Sequence, residues 1–361
     1  MHSALTALDL PYPIFQAPMA GVSTPALAAA VSQAGALGAL SLGASTAESA
    51  QALLSEARAL GARRLHANGF CHPPAMRDAG REQAWIQHFE GAFRSRGATS
   101  PKALTPPYVP FQNDDAMLGV LLEARPEVVS FHFGLPREDQ LKALHRVGIL
   151  TLVSVTSAED GQAALDAGVG GLIAQGIEAG GHRSTFFSEG DKGLGTAALL
   201  AQLRPLSDRP LIAAGGVMTG HDLRALLSAG ADAVQLGTAF LLCPEAGTGA
   251  AYRTRLNAHL AALQAGENSS DREAGTVLTA ALSGRPARGL RNEVTERAEL
   301  PEAPLPPPYP IAYDLTKRLA ALPAPDAAEA YGACWAGTGV GRLRALPAAN
   351  LVETLAREAN L

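Results

Sequence analysis

The sequence predicts one α/β domain built as a (β/α)₈ TIM barrel, with a helical insertion after strand 3 and a C-terminal helical extension. Three observations carry this prediction. Eight short apolar runs end in Gly, Ser or polar residues, and Ala/Leu-rich stretches of helical periodicity follow them. Helix start and stop signals fall between the runs where a parallel repeat needs them. The 361 residues suffice for one large barrel with additions and a sizeable core.

In chain order the predicted strands are Ile14–Pro18, Gly38–Leu42, Leu65–Phe70, Val128–Phe133, Leu150–Val155, Gly171–Gln175, Leu211–Ala214 and Ala233–Leu236. Ser23-Thr24-Pro25 caps and starts a helix over Ala26–Ala34 that Gly35 ends, and Thr219 to Asp222 precede a second over Leu223–Ser228. The barrel is expected to span residues 1–243. Within it, residues 72–126 form an insertion over the barrel mouth, with Trp85, Phe89 and Phe93 at helical spacing and a Pro-rich connector from Pro101 to Pro110. Residues 244–361 read as helices such as Tyr252–Leu263, joined by stiff linker from Pro301 to Pro310 and capping the active site, not as a second sheet.

Composition excludes several classes. A net charge of −5 with 17% charged residues offers no attraction for a nucleic acid. Cys71, Cys243 and Cys334 are odd in number, widely spaced and outside any C-x-x-C pair, which argues against a disulfide framework or zinc site and for a reducing cytoplasm. No basic-then-apolar leader opens the chain and no apolar stretch approaches a membrane span, so the expectation is a cytoplasmic protein with no membrane partner. Oligomeric state leaves no sequence signature here.

Barrels place chemistry on the loops after their strands. The seventh and eighth runs continue into Gly215-Gly216 and Gly237-Thr238, where backbone N–H groups and a hydroxyl can approach a phosphate; the bland alternative is a pair of tight turns. After the sixth run, Gln175 to Arg183 sets His182 at the tip of a glycine-rich loop, where an imidazole can move a proton or hold an anion. Glu178 in that loop is a candidate ion-pair partner of Arg183. Alternation in the fourth run aims Ser130, His132 and Gly134 to one side and the phenylalanines to the other, with a buried structural histidine as the competing reading.

Asn68 and the segment Gln16 to Met19 complete a ring of amides and small residues, which suits a neutral heterocycle better than a metal. There is no Walker A sequence and no G-x-S-x-G elbow. Gly337-Thr338-Gly339-Val340-Gly341 follows no identifiable strand and fails the context test for a dinucleotide fingerprint. The chemistry is therefore expected to come from a cofactor.

Gln16 to Gly21, Ser130 to Pro136, Gly176 to Arg183 and Ala213 to Val217 together resemble the nitronate monooxygenases, formerly 2-nitropropane dioxygenases. Tyr309, Tyr313 and Lys317 at four-residue spacing, then Trp335-Ala336-Gly337, extend the resemblance over nearly the whole chain and toward the bacterial class acting on propionate 3-nitronate. The resemblance implies FMN, with its phosphate at Gly215, Gly216, Gly237 and Thr238 and its ring near Ala17, Pro18, Met19, Asn68, Gln175, Gly180 and Gly181. It further implies His182 as the catalytic residue, acting as base or as hydrogen-bond donor. His132, Tyr309, Tyr313 and Lys317 would line the substrate pocket, and a nitronate or nitroalkane and O₂ would be consumed to give a carbonyl compound and nitrite. Gly69, Ser184 and Thr338 depart from the family pattern at positions that bear on ring contacts and substrate size. Two other readings are an NAD(P)H-oxidising FMN barrel, such as a quinone reductase or enoyl-thioester reductase, and a non-catalytic flavin-binding protein.

Overall fold

The computed structural model describes residues 3–186, 191–265 and 275–361. Its strands are β1 (Ile14–Gln16), β2 (Gly38–Ser41), β3 (Leu65–Phe70), β4 (Val128–His132), β5 (Leu150–Val155), β6 (Gly171–Gln175), β7 (Gly181–His182), β8 (Leu211–Ala214), β9 (Ala233–Leu236), β10 (Thr276–Thr279) and β11 (Ala287–Leu290). Eight of them form one parallel sheet in the order β1-β9-β8-β6-β5-β4-β3-β2, and a parallel bridge between Phe15 and Leu37 joins its ends into a barrel. Each predicted run forms its strand. The first stops at Gln16, before Pro18, which has no N–H to give to a ladder. The fourth stops at His132 because Phe133 turns to a positive φ of 75°.

Local signals act where the sequence places them. The Thr24 hydroxyl accepts from the Leu27 amide and Pro25 starts helix Pro25–Gln33, while Thr219 and Asp222 form a reciprocal capping box at helix Gly220–Ser228. Gln16 is used differently from the expectation of an amide ring. Its side chain exchanges hydrogen bonds with the backbone of Ala39 at 3.0 and 3.1 Å, stitching β1 to β2 where the ladder is thinnest.

The barrel interior is layered. Phe15, Leu37, Val128, Leu152, Ile173, Ile212 and Ala233 form an apolar floor, plugged from below by Leu5 and Leu8 of the N-terminal segment. Above it lie Ser41, Asn68, Ser130, Ser154, Gln175 and Gln235, polar side chains that border a cavity. The outward set, including Ala67, Val129, Phe131, Val153 and Val234, packs under the helices in the main core. Helix Asp115–Ala124 lies against helices Ala47–Ala59 and Glu138–Arg146 and serves as the barrel helix between β3 and β4. The inserted segment therefore ends before Asp115.

That insertion and the tail share a second core. Trp85, Ile86, Phe89 and Phe93 pack with Leu282, Val294, Ile311, Leu315, Leu319 and Tyr331. Arg96 clamps the two parts together, donating to the Tyr331 hydroxyl at 2.6 Å and to Asp326 at 2.7 Å. The tail is not purely helical, which corrects the sequence reading: β10 and β11 pair antiparallel, and β11 continues the sheet onto β7 through Ala287↔His182 and Arg288↔Gly181. These strands are four residues or fewer, and the partner of β11 lies about a hundred residues upstream, so no periodicity announces them.

Replacing Trp85, which is fully buried, with alanine is expected to cost about 3–5 kcal/mol of stability. Urea denaturation followed by circular dichroism checks this, and a loss under about 1 kcal/mol would mean that the second core does not hold the insertion to the tail.

Candidate active site

The loop after β6 turns back under the tail, and the pairing of β7 with β11 fixes where His182 sits. Its backbone carbonyl accepts from Gln175 Nε2 at 2.8 Å and from His132 Nε2 at 3.0 Å. The Gln175 amide can face only one way, since its Oε1 accepts from the Ser184 amide at 2.9 Å. On the ring, His182 Nε2 meets the Ser283 hydroxyl at 2.9 Å. Aromatic rings surround it: Trp335 at 5.0 Å, Tyr309 at 5.3 Å, Phe133 at 5.6 Å and Tyr313 at 6.2 Å between centroids.

Burial sets the protonation states. It pulls both His182 and His132 down to about 3, helped by the nearby Arg285 charge, so both imidazoles are neutral at physiological pH. Burial likewise pushes Tyr309, Tyr108 and Tyr313 above the usual phenol range, leaving protonated hydroxyls. The Arg285 guanidinium lies 4.5 Å from the centre of the Phe133 ring, and burial lowers it to about 10, still cationic.

The cavity has a volume of about 310 Å³, at the small end of the range for small-molecule sites. At one end are Gly215 and Gly216, with φ of 128° and 74°, together with Gly237 and Thr238. The N–H groups of Gly215, Gly216 and Gly237 donate to no group among the described residues. A Cβ on Gly215 would stand 2.8 Å from Thr196 Oγ1, so side chains are excluded there by space as well as by φ. Unpaired amides bordering a cavity suit an anion such as a phosphate. In the cavity lining, Ser41 Oγ, Gln235 Oε1 and Thr248 Oγ1 are buried without a partner among the described residues, groups that a polar heterocycle or water would satisfy. Among the described residues no cluster of three or more His, Cys, Asp or Glu could hold a metal, and no helix is long and apolar enough to cross a membrane.

The sequence model of the family described as nitronate monooxygenase matches residues 2–358. The chain belongs to the nitronate monooxygenase family. It is 46% identical to a nitronate monooxygenase of Pseudomonas aeruginosa, over 97% of each chain. It is 45% identical to one of Paraburkholderia phytofirmans, over 99% of this chain and 94% of that one. Among solved structures it is similar to nitroalkane oxidase from Streptomyces ansochromogenes, with a TM-score of 0.86 and 39% identity over 99% of this chain and 98% of that one. FabK from Thermotoga maritima shares the fold at a TM-score of 0.72 and 23% identity, covering 100% of this chain and 96% of that one. The protein is thus an oxidoreductase of the nitronate monooxygenase family built on a TIM barrel.

Fifteen of the residues that the sequence reading expects at the site border a single cavity: Ala17, Pro18, Met19, Asn68, His132, Gln175, Gly180, Gly181, His182, Gly215, Gly216, Gly237, Thr238, Tyr309 and Tyr313. Lys317 does not. Its Nζ lies over the rings of Tyr108 and Tyr313, at 4.6 and 5.2 Å, a layer behind the lining. Glu178 does not pair with Arg183 either. It caps helix Thr196–Leu203, accepting from the Thr196 amide at 3.0 Å, while the fully buried Arg183 pairs with Asp191 at 2.7 Å.

Of the departures from the family pattern, Gly69 stays off the cavity and abuts the Phe111 ring, and Thr338 donates its amide to the Glu178 carbonyl. Ser184 has a visible task. It accepts from the Phe133 amide at 3.1 Å and donates to the Ser154 carbonyl at 2.9 Å, holding Phe133 in its positive-φ conformation. That conformation brings the Phe133 ring into the cavity wall, where alternation from β4 had aimed it outward.

Other lining residues escaped the sequence reading: Tyr108 in the Pro-rich connector, Tyr252, Trp335, and Gly337 with Gly339 from the segment rejected as a fingerprint. The tail crosses the loop after β6 glycine on glycine; a Cβ on Gly180 would stand 2.5 Å from the Gly337 nitrogen, and the Gly337 amide donates to Thr238 Oγ1 at 2.9 Å. The only signal for this was the density of glycines after Trp335.

His66, His132 and His182 each titrate at about 3 in the fold against 6.5 when unfolded. As pH falls from 6.5 toward 3 the unfolded chain takes up these protons and the native state does not, so their contribution is complete above 6.5 and is lost downward through this window. Denaturant midpoints measured between pH 7 and 4 should fall steadily. A flat profile would contradict neutral burial of the three rings.

Proposed function

We propose that the chain binds FMN and oxidises small alkyl nitronates of the propionate 3-nitronate type with O₂, giving a carbonyl compound and nitrite. The observation that carries this reading is the run of unpaired amides at Gly215, Gly216 and Gly237 at one end of a cavity whose other wall is His182 in an aromatic cage. The donor set fits the cofactor. Those amides and the residues around Thr238 would take its phosphate, while Ala17 to Met19, Asn68, Gln175, Gly180 and Gly181 would border its ring. Bound FMN supplies the electron acceptor that no side chain of this site provides.

The protein's own residues do the rest. Tyr108, Phe133, Tyr309, Tyr313 and Trp335 enclose a small substrate and exclude water. Neutral imidazoles at His132 and His182 add no charge, and the partly buried Arg285 cation behind Phe133 favours an anion in the cage. Lys317 supports a substrate with a second negative charge. Its exposed side chain makes no ion pair among the described residues and lays its ammonium against the rings of Tyr108 and Tyr313, both of which line the cavity.

Purified protein reconstituted with FMN should be yellow and should consume O₂ with propionate 3-nitronate or ethyl nitronate, releasing nitrite. Gly216→Val should abolish flavin retention, since a side chain there meets both the positive φ and the Glu178 side chain. A colourless protein, no oxygen uptake with either nitronate, or flavin bleached by NADH in place of nitronate would overturn the reading. Lys317→Met should raise KM for propionate 3-nitronate by about three- to tenfold and leave ethyl nitronate unaffected, the effect of losing about 1 kcal/mol of charge attraction. Equal changes for both substrates would remove Lys317 from substrate recognition.

A further inference from the structure

We infer that Ser283 is a positioning residue that holds His182 in the Nε2–H tautomer, so that the bare Nδ1 lone pair faces the cavity. The assignment follows from counting protons. Ser283 is fully buried in the turn between β10 and β11, and its hydroxyl has one proton and two lone pairs. The Arg285 carbonyl, 3.1 Å away, is an acceptor with no other donor among the described residues, so it takes the serine proton. The serine lone pairs then receive the Arg285 amide at 3.4 Å and the His182 Nε2 at 2.9 Å. A nitrogen that meets a lone pair at that distance carries the hydrogen, which leaves Nδ1 unprotonated in the neutral ring.

Nδ1 has no partner among the described residues and is not sealed in the protein, while Ser283 itself stays off the cavity wall. The ring cannot flip to offer its other face. Its backbone is held by Gln175, His132 and β11, and Trp335, Tyr309 and Phe133 crowd its faces. His132 is fixed in the same sense, since its Nε2 meets a carbonyl and must carry the proton.

An acceptor pointing into the cavity is placed to receive a proton from a substrate carbon. Resting on the nitronate reading of the site, this orientation serves the base role toward a neutral nitroalkane that the family resemblance implies for His182. The Cα–H bond breaks, its electron pair stays on the substrate as the nitronate, and the proton passes to Nδ1, giving an imidazolium whose Nε2–H remains on Ser283.

Histidine ¹⁵N shifts of the full-length, FMN-reconstituted protein at pH 7, with His182 assigned through His182→Gln, test the tautomer directly. The expected pattern is a pyridine-type Nδ1 and a pyrrole-type Nε2, and the reverse overturns the assignment. Ser283→Ala should move both shifts toward a tautomer average, and Ser283→Thr should restore them. A wild-type pattern in Ser283→Ala would remove the serine from this role.

In oxygen uptake, Ser283→Ala should lower kcat with nitroethane by about 10–100-fold, within the roughly 10²–10⁴ that a placed acid–base group contributes, and change ethyl nitronate by less than about threefold. Equal losses on both substrates, or a wild-type enzyme inert toward nitroethane, would overturn the proton-accepting role. Should the nitronate reading itself fail, neither substrate is consumed while the ¹⁵N pattern stands. The two failures are therefore told apart.

Discussion

The site depends on one short stretch of antiparallel pairing, in which a strand from the tail binds the two residues Gly181 and His182 at the lip of the barrel. A glycine-rich loop after a barrel strand has too much conformational freedom to aim an imidazole by itself. The loop gains rigidity because β11 takes its backbone groups, Gln175 and His132 take the His182 carbonyl, and Arg183 anchors the next residue through Asp191 and the Gln175 and Gly176 carbonyls. The tail thus acts as part of the scaffold of the cavity more than as a cover laid over a finished barrel.

That arrangement explains the second core. A tail that only shielded the cavity could be loosely packed, but one that aims a side chain must itself be fixed. Trp85, Phe89 and Phe93 of the insertion bury against Ile311, Leu315 and Tyr331, and this joint core carries helix Ile311–Ala320, which presents Tyr313, with Tyr309 in the turn that leads into it. Small displacements there reach His182 through ring contacts of 5–6 Å. Phe133 is the matching strained element on the barrel side, kept at positive φ by Ser184 so that its ring meets the same cage.

Electrostatically the cavity is lined by groups kept neutral and backed by cations kept out of contact. His132, His182 and the tyrosines stay uncharged through burial, while Arg285 and Lys317 sit behind aromatic rings. A cation in direct contact would hold an anion tightly; a cation one ring away attracts it while leaving the cavity wall to neutral groups.

The sequence by itself determined the barrel and the cavity's inner surface. Eight apolar runs at βα spacing leave few alternatives, and residues such as Asn68, Gln175, Gly215 and Thr238 reach the cavity simply by ending strands. Their positions follow from local alternation and chain order, which a linear pattern records. What only the tertiary structure decided is the outer wall and the orientation of the imidazole. Tyr108, Trp335, Gly337 and Ser283 come from segments whose sequence shows turns and linkers, and Gln16, Glu178 and Lys317 were drawn away by nearer partners or an intervening ring layer. The pairing of β11 with β7 joins residues about a hundred positions apart through backbone groups that every residue carries, and side-chain identity holds no trace of such a bond until the chain is folded.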